Sequence, residues 1–454
     1  MLHESFWSAF ARDWKSPFRA ALALSGGRAR LKRVLAEGVE IDVATLPYDQ
    51  DVIAYIRTWR EAGGRTALVT ASDAELARTI AAHLGLFDEV HGSDGSYNLK
   101  GPNKADFLRD RFGAAGYAYM GDAAADLPVW ATAARAITVN APPGLRREAE
   151  RVAGQTEHLT TAPRSLAAYA KALRPHQWLK NLLVFLPTFA AHEYGAGHLG
   201  LALLAFVSFS LVASGVYLLN DLLDLGADRA HPRKRERPFA SGRVPLAHGA
   251  VMALLLFGLG AASALALGGA FTAVMLCYFG LTTAYSLYLK RQIVIDIVVL
   301  AGLYTIRIVA GGVATGIDLS VWLLAFSIFF FLSLAAVKRQ AELVDSAGRG
   351  ALTASGRGYA VDDLPIISMI AICAGYVSVL VMALYVNSPA VVELYDRPDF
   401  LWGISAVLLY WVTSMVMTAH RGQMHDDPVV HAVKDRVSLA CFVLILIFAV
   451  LAAS

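Results

Sequence analysis

Residues Asn220 to Gly242 read NDLLDLGADRAHPRKRERPFASG and follow directly on Leu201 to Leu219, a run without a charged residue. That run is long enough to form most of a membrane-spanning helix, so Asp221, Asp224 and Asp228 stand where an apolar helix meets water. With Asn220 beside them and spacings of three and four, they share one face if the helix continues through them. Clustered acids repel one another unless a cation sits among them. Carboxylate and amide oxygens at a wet, incomplete site suit Mg2+, which keeps several waters and shares its shell with substrate phosphates. The cations that follow, Arg229, Arg233, Lys234, Arg235 and Arg237, complement phosphate oxygens that the metal leaves over. The competing reading is a capped helix end before a basic cytoplasmic loop, but such a loop needs no acids in register.

On either side of this stretch the chain has two textures. A length of 454 residues exceeds one ordinary domain, and 56% hydrophobic with 17% charged residues is a membrane composition if the apolar residues cluster. Residues 1–160 carry Arg, Asp and Glu throughout, whereas from Leu182 long apolar runs alternate with short charged loops. Nine apolar segments appear, at 180–195, 199–222, 247–267, 269–289, 294–315, 319–337, 365–387, 400–419 and 437–453. Each is near the ~20 residues a span requires. The loops after the second, fourth, sixth and eighth hold Arg229 to Arg243, then Lys290 and Arg291, then Lys338, Arg339, Arg349 and Arg357, then Arg421, Lys434 and Arg436. The opposite loops offer Arg397. The positive-inside rule therefore puts the N-terminal domain and the aspartate loop on the cytoplasmic side of a bacterial inner membrane. A net charge of +3 is too small to argue for a nucleic-acid partner. Cys277, Cys373 and Cys441 fall inside expected spans, which argues against disulfides and against a thiolate metal site. The opening MLHESFWSAFARDWK lacks the apolar core of a signal peptide.

The NDxxDxxxD pattern of Asn220 to Asp228 resembles the first aspartate-rich motif of the UbiA superfamily of intramembrane prenyltransferases. The D-R-x-H-P-x-K-R-x-R-P-x-A-x-G run from Asp228 resembles one branch, the decaprenyl-phosphate phosphoribosyltransferases. The resemblance extends from about Arg174 to the C-terminus. It implies a multi-pass all-α membrane bundle of about nine transmembrane helices, with Asp221, Asp224 and Asp228 catalytic and, with Asn220, metal ligands.

Further residues belong to the same resemblance. Arg174 to Asn181, RPHQWLKN, is similar to the family's R-P-x-Q-W-x-K-N motif. There Lys180 and Asn181 contact a phosphate, or else Trp178 and Lys180 anchor the chain at headgroup level. Tyr285 and Lys290, in YSLYLK, resemble a Y-x-x-x-K element with one residue more between them. Asp296 and Arg307, eleven apart, lie near one helical face that must point into the bundle or a wet cavity. Asp296 is read as a second-site acid and metal ligand, and Arg307 either as half of a buried ion pair or as a lipid-phosphate contact. The superfamily's second motif, DxxxD, is replaced by Lys338, Arg339 and Glu342, so one acidic cluster has become mainly cationic. That suits a donor carrying a further phosphate. The last charged loop, MHDDPVVHAVKDRVS, holds Asp426, Asp427, Lys434, Asp435 and Arg436 and resembles the phosphoribosyltransferase branch, or is a solvated loop with a helix cap.

Residues 1–160 show strand and helix patterns in alternation, as in an α/β domain with a parallel sheet. Thr70, Lys104 and the pair Asp122 and Asp126 follow expected strand ends and resemble the second, third and GDxxxD fourth motifs of the haloacid dehalogenase superfamily of phosphatases. That family's nucleophile, an aspartate in a DxDGT motif on the first strand, does not precede Thr70. The domain is therefore expected to be inactive as it stands, either a relic or N-terminally incomplete, and in the second case an in-frame segment before Met1 is expected to carry the missing motif. A linker leads to the membrane part, 166–454.

The implied function is Mg2+-dependent transfer of 5-phosphoribose from phosphoribosyl pyrophosphate to a polyprenyl phosphate. One rival is prenyl transfer from a prenyl diphosphate to an aromatic acceptor, against which stand the lost DxxxD and the dense basic block. Another is a polyprenyl-phosphate carrier or transporter, which should show polar residues at the midplane of several spans.

Overall fold

The computed structural model describes residues 2–13, 15–25, 31, 34–35, 41–94, 97–161, 165–353, 357–424 and 427–453. It divides into two compact units, Met1–Leu173 with Leu218–Met252, and Arg174–Tyr217 with Ala253–Ser454. In packing, the aspartate loop groups with the N-terminal residues. Two contacts show why. Arg229 is clamped by Glu4, and the Tyr169 hydroxyl lies 2.7 Å from His248 Nδ1.

In the first unit, β1 (Ala67–Asp73) pairs in parallel with β2 (Glu89–Ser93). A second parallel sheet has the order β3 (Ala118–Gly121), β4 (Arg135–Val139), β5 (Thr156–Leu159). Local chemistry sets the helices between them. Asp49 accepts from the N–H groups of Asp51 and Val52 and starts Gln50–Glu61. Asp73 does the same for Ala74–Leu84, which Gly85 ends in the left-handed region (φ 64°). The core behind the second sheet holds Trp130, Ala136, Leu145 and Ala149, all buried, and Trp130 Nε1 donates to Tyr119 O at 3.2 Å.

Eight helices among the described residues are long and apolar enough to cross a membrane. They are α1 (Ala196–Leu223), α2 (Leu246–Ala266), α3 (Gly269–Leu287), α4 (Ile295–Thr315), α5 (Val321–Gly348), α6 (Val361–Val386), α7 (Pro398–His420) and α8 (Arg436–Ala453). The ninth apolar segment, 180–195, is different. It forms an eleven-residue 3-10 helix, Pro175–Phe185, followed by the five residues Leu186–Ala190. Pro187 supplies no N–H to an α-helical ladder, and Lys180 and Asn181 are drawn inward by polar partners. The segment also packs directly on α4: a Cβ at Gly311 would collide with Val184 O, so glycine is what allows the two backbones to meet. Tyr304, Ile308, Phe331 and Ala336 form part of the core that joins α4 to α5.

Candidate active site

The first unit assembles the aspartate loop differently from a continuous helix. α1 ends at Leu223, and a second helix runs over Leu225–Ala230, with Asp224 (φ −87°, ψ 12°) at the break. The three acids therefore do not share one face: Asp221 and Asp228 are buried and Asp224 is exposed. Arg237 Nη1 donates to Asp221 Oδ1 at 3.2 Å and to Asp228 Oδ2 at 2.6 Å, so carboxylates from the two sides of the break converge on one cation. Burial pushes the Asp228 carboxyl up, opposed by Arg237. Among the described residues no group of three or more His, Cys, Asp or Glu side chains is placed to hold a metal, so the expected set of Asn220, Asp221, Asp224 and Asp228 is not assembled. Two convergent carboxylates with oxygen donors alone still fit Mg2+, which binds through one or two carboxylates and completes its shell with water and phosphate oxygen.

The loop cations separate. Arg229 donates through both terminal nitrogens to Glu4, at 3.0 and 2.7 Å, and through Nε to Ala240 O at 3.2 Å. It is a bidentate structural clamp instead of the expected phosphate ligand. Glu4 lies 225 positions away in sequence and carries no local signal of this role. Lys234 and Arg235 are exposed on the short turn Lys234–Glu236.

In the second unit, the 3-10 helix turns Lys180 and Asn181 inward. Lys180 Nζ donates to Asp427 Oδ2 at 2.8 Å, Lys338 Nζ donates to the same oxygen at 2.9 Å, and the Tyr304 hydroxyl donates to Oδ1 at 3.2 Å. Burial alone would raise the Asp427 carboxyl, but Lys338 and Lys180 together hold it well below the usual carboxylate range. Asn181 Oδ1 accepts from Arg307 Nε at 2.8 Å, and its amide donates to Ser210 Oγ at 3.0 Å. Arg307 also donates to the Tyr278 hydroxyl at 3.3 Å, with its guanidinium 5.0 Å from the centre of that ring. Among the described residues Asp296, which lies near the same helical face, pairs with Arg339 and Arg357 and not with Arg307. Lys180 and Lys338 thus share one described carboxylate, and Arg307 is held next to Lys180 through Asn181, a local excess of positive charge that favours an anionic ligand. Asp427 had appeared in the sequence as one acid of a charged loop, and its neighbour Asp426 lies outside the described residues.

Asp296 belongs to a second, balanced cluster. Its Oδ1 accepts from the Tyr285 hydroxyl at 2.8 Å and from Arg357 Nη1 at 3.1 Å, and Arg339 Nε lies 2.8 Å from Oδ2. Arg339 also pairs with Glu342, whose carboxylate Arg357 Nε approaches at 3.8 Å. Two guanidiniums thus lie against Asp296, the acid expected as a metal ligand. Arg357 had counted only as a loop charge. The next residue explains its place, because a Cβ at Gly358 would collide with Arg291 O. Lys290 sits beside this segment on the turn Leu289–Arg291.

At the carboxyl ends of β1 and β3, Thr70 Oγ1 accepts from Ser72 N at 3.1 Å, and Asp122 is exposed. Lys104 Nζ donates to the Tyr119 hydroxyl at 2.6 Å, and that hydroxyl donates to Asp126 Oδ1 at 3.1 Å, with the lysine 3.7 Å from the same oxygen. Burial lowers the Lys104 ammonium, against the pull of Asp126 and Asp122. Tyr119, which the motif spacing did not single out, links the third-motif lysine to the fourth-motif acid.

Comparison with known proteins divides the chain in sequence order. Residues 3–130 match the haloacid dehalogenase-like hydrolases, and residues 181–421, just over half of the chain, match the UbiA prenyltransferase family. The y4nM protein of Sinorhizobium fredii is 37% identical over 96% of this chain and 85% of its own length. The nodulation protein NoeC of Azorhizobium caulinodans is 39% identical over 60% of this chain and 89% of its own. The decaprenyl-phosphate phosphoribosyltransferase of Mycobacterium tuberculosis is 43% identical over 41% of this chain and 65% of its own. Among solved structures, a UbiA homolog from Archaeoglobus fulgidus bound to GPP and Mg2+ aligns over 62% of this chain and 99% of its own, with 15% identity and a TM-score of 0.48. The helical bundle, the matched span and the full-length relative together show that the chain is a membrane transferase belonging to the UbiA prenyltransferase family, preceded by a haloacid dehalogenase-like α/β domain.

Proposed function

We propose that this transferase moves 5-phosphoribose from phosphoribosyl pyrophosphate to a polyprenyl phosphate in a Mg2+-dependent reaction. The observation that carries the reading is the joint hold of Lys180 and Lys338 on Asp427, with Arg307 close by. Where the superfamily places a second acidic motif, this chain has buried cations in excess, an environment that favours phosphate groups over a second metal. The 43% identity to a decaprenyl-phosphate phosphoribosyltransferase points the same way.

Asp221 and Asp228 would hold the ion, and Mg2+, when bound, supplies positive charge to the donor's diphosphate. Arg237 is placed to follow that charge, because it already lies against both carboxylates. Lys180, Lys338 and Arg307 bind phosphate. As the bond from ribose C1 to diphosphate breaks, the electron pair leaves with diphosphate and positive charge builds on C1. A phosphate oxygen of the lipid then forms the new bond. That oxygen is already anionic, so no strong general base is required, and catalysis is mostly positioning and electrostatics.

The reading keeps the aspartate loop and the N-terminal domain cytoplasmic. The irregular stretch 175–190 covers about 30 Å at about 2.0 Å per residue in its 3-10 part and about 1.5 Å in its helical part, enough to cross the apolar layer. Non-helical backbone at that depth is tolerated where protein covers it, as α4 does at Gly311.

The test is incubation of membranes containing the chain with phosphoribosyl pyrophosphate, Mg2+ and decaprenyl phosphate. A phosphoribosylated lipid is expected. A product formed instead from geranyl diphosphate and an aromatic acceptor would replace this reading with prenyl transfer.

A further inference from the structure

The chain enters α4 through a strained turn. Ile295 N donates to Ile293 O at 2.8 Å, with Val294 between them at φ 67° and ψ −49°. This is a γ-turn whose central residue is left-handed, the rare and strained form. Valine is a poor occupant of that place. A positive φ is an outlier for a β-branched residue, and valine has no side-chain oxygen to cap the first turn of the helix it precedes. Its side chain is 52% exposed, so packing around it does not hold it there. Backbone strain persists only where the surroundings over-determine it, and it gathers at functional sites.

Three consecutive residues of the connection between α5 and α6 supply the hold. The buried Tyr359 hydroxyl accepts from Val294 N at 2.9 Å. Gly358 lies directly against Arg291 O, and Arg357 Nη1 donates to the Tyr285 hydroxyl at 2.9 Å and to Asp296 Oδ1 at 3.1 Å. The turn is thus gripped at Arg291, Val294 and Asp296. What the grip fixes is the place of Asp296. Its Oδ2 lies 2.8 Å from Arg339 Nε, and the Arg339 guanidinium is 5.8 Å from the centre of the Tyr359 ring. Arg339 adjoins Lys338 on α5, so its pair with Asp296 fixes the rotation of that helix. The same rotation brings the Lys338 ammonium to 2.9 Å from Asp427.

We infer that Tyr359 is a positioning residue for phosphate binding: its hydroxyl holds the strained turn at Val294, and the turn, through Asp296 and Arg339, aims Lys338. The inference rests on the reading of Lys338 as a phosphate ligand and adds to it a residue that touches no substrate. Strain makes the hydroxyl necessary. Without it, Val294 leaves the left-handed region for an ordinary one, and Asp296 moves with the backbone. Glycine at position 294 adopts the turn without strain, so loss of the hydroxyl then has little effect. A hydroxyl that served stability alone would cost the same in both backgrounds.

The experiment is a double-mutant cycle on the full chain in detergent, with Tyr359→Phe, Val294→Gly and the two combined. Phenylalanine keeps the ring beside Arg339 and removes the hydroxyl alone. Amide hydrogen exchange over residues 289–297 reads the turn, and the concentration of pyrophosphate that raises the unfolding temperature reads the phosphate site. Tyr359→Phe should speed exchange at the turn and weaken pyrophosphate binding by about threefold or more, the equivalent of one lost hydrogen bond. The combined variant should regain wild-type binding to within about twofold, because the strain that needed the hydroxyl is gone. Wild-type binding by Tyr359→Phe, or a combined variant that binds as weakly as Tyr359→Phe, overturns the inference while leaving the phosphate reading intact. Pyrophosphate that fails to bind the wild-type chain overturns that reading, and the inference with it.

Discussion

Lys180 Nζ donates to Asp427 Oδ2 at 2.8 Å across 247 residues of sequence, and Lys338 donates to the same oxygen. Asp427 is thus the carboxylate that separates two lysines, Lys180 buried and Lys338 partly exposed. Replacing it with Asn leaves them facing each other uncompensated, and breaking a buried pair in this way costs about 3–5 kcal/mol. Thermal unfolding of Asp427→Asn in detergent should show that loss, with millimolar pyrophosphate restoring part of it. An unchanged unfolding temperature would remove the charge argument for this cluster.

Asp221 and Asp228 converge on Arg237, while Asp224 faces water at a helix break. Substituting Asn at either buried position should lower turnover by about a hundredfold or more, with the folded fraction retained because the shape is kept. Asp224→Asn should cost less. Equal losses at all three positions would mean that the acids act as one ligand set.

The two cations of the replaced second motif should separate experimentally. Lys338→Ala removes a partly exposed cation and should raise KM for phosphoribosyl pyrophosphate. Arg339 is fully enclosed between Asp296 and Glu342, so Arg339→Ala leaves a buried carboxylate short of a partner and should destabilise the protein by about 3–5 kcal/mol. The measurements are KM for the first and thermal unfolding for the second. A donor-affinity change at Arg339→Ala without loss of stability would contradict this division.

Lys104, Tyr119 and Asp126 form a polar chain, but no DxDGT motif precedes Thr70 in the sequence. Without that nucleophile no phosphoenzyme forms. This chain should therefore yield a ribosylated lipid that keeps its 5-phosphate, with no inorganic phosphate released in a malachite green assay. Phosphate release abolished by Asp122→Asn would show that the domain hydrolyses by another route.

Regular elements were legible because they obey local rules. Eight runs of about the required length became eight helices, and Asp49, Asp73 and Gly85 marked helix ends through their own backbone bonds. The segment 180–195 departs from a regular helix for a physical reason: hydropathy counts apolar residues, but the backbone there is set by Pro187 and by the inward pull on Lys180 and Asn181.

By itself, the sequence determined which residue types carry the chemistry, because NDxxDxxxD, the basic block and the altered second motif are contiguous patterns readable without distances. It could not determine partnership. Glu4 on Arg229, Arg357 on Asp296, and Asp427 between two lysines join positions up to 247 residues apart. Which of several cations meets a given carboxylate depends on how helices pack and where each break falls. A charge in sequence has a sign but no neighbour, and in a low-dielectric interior the neighbour decides whether it binds a ligand or holds the fold.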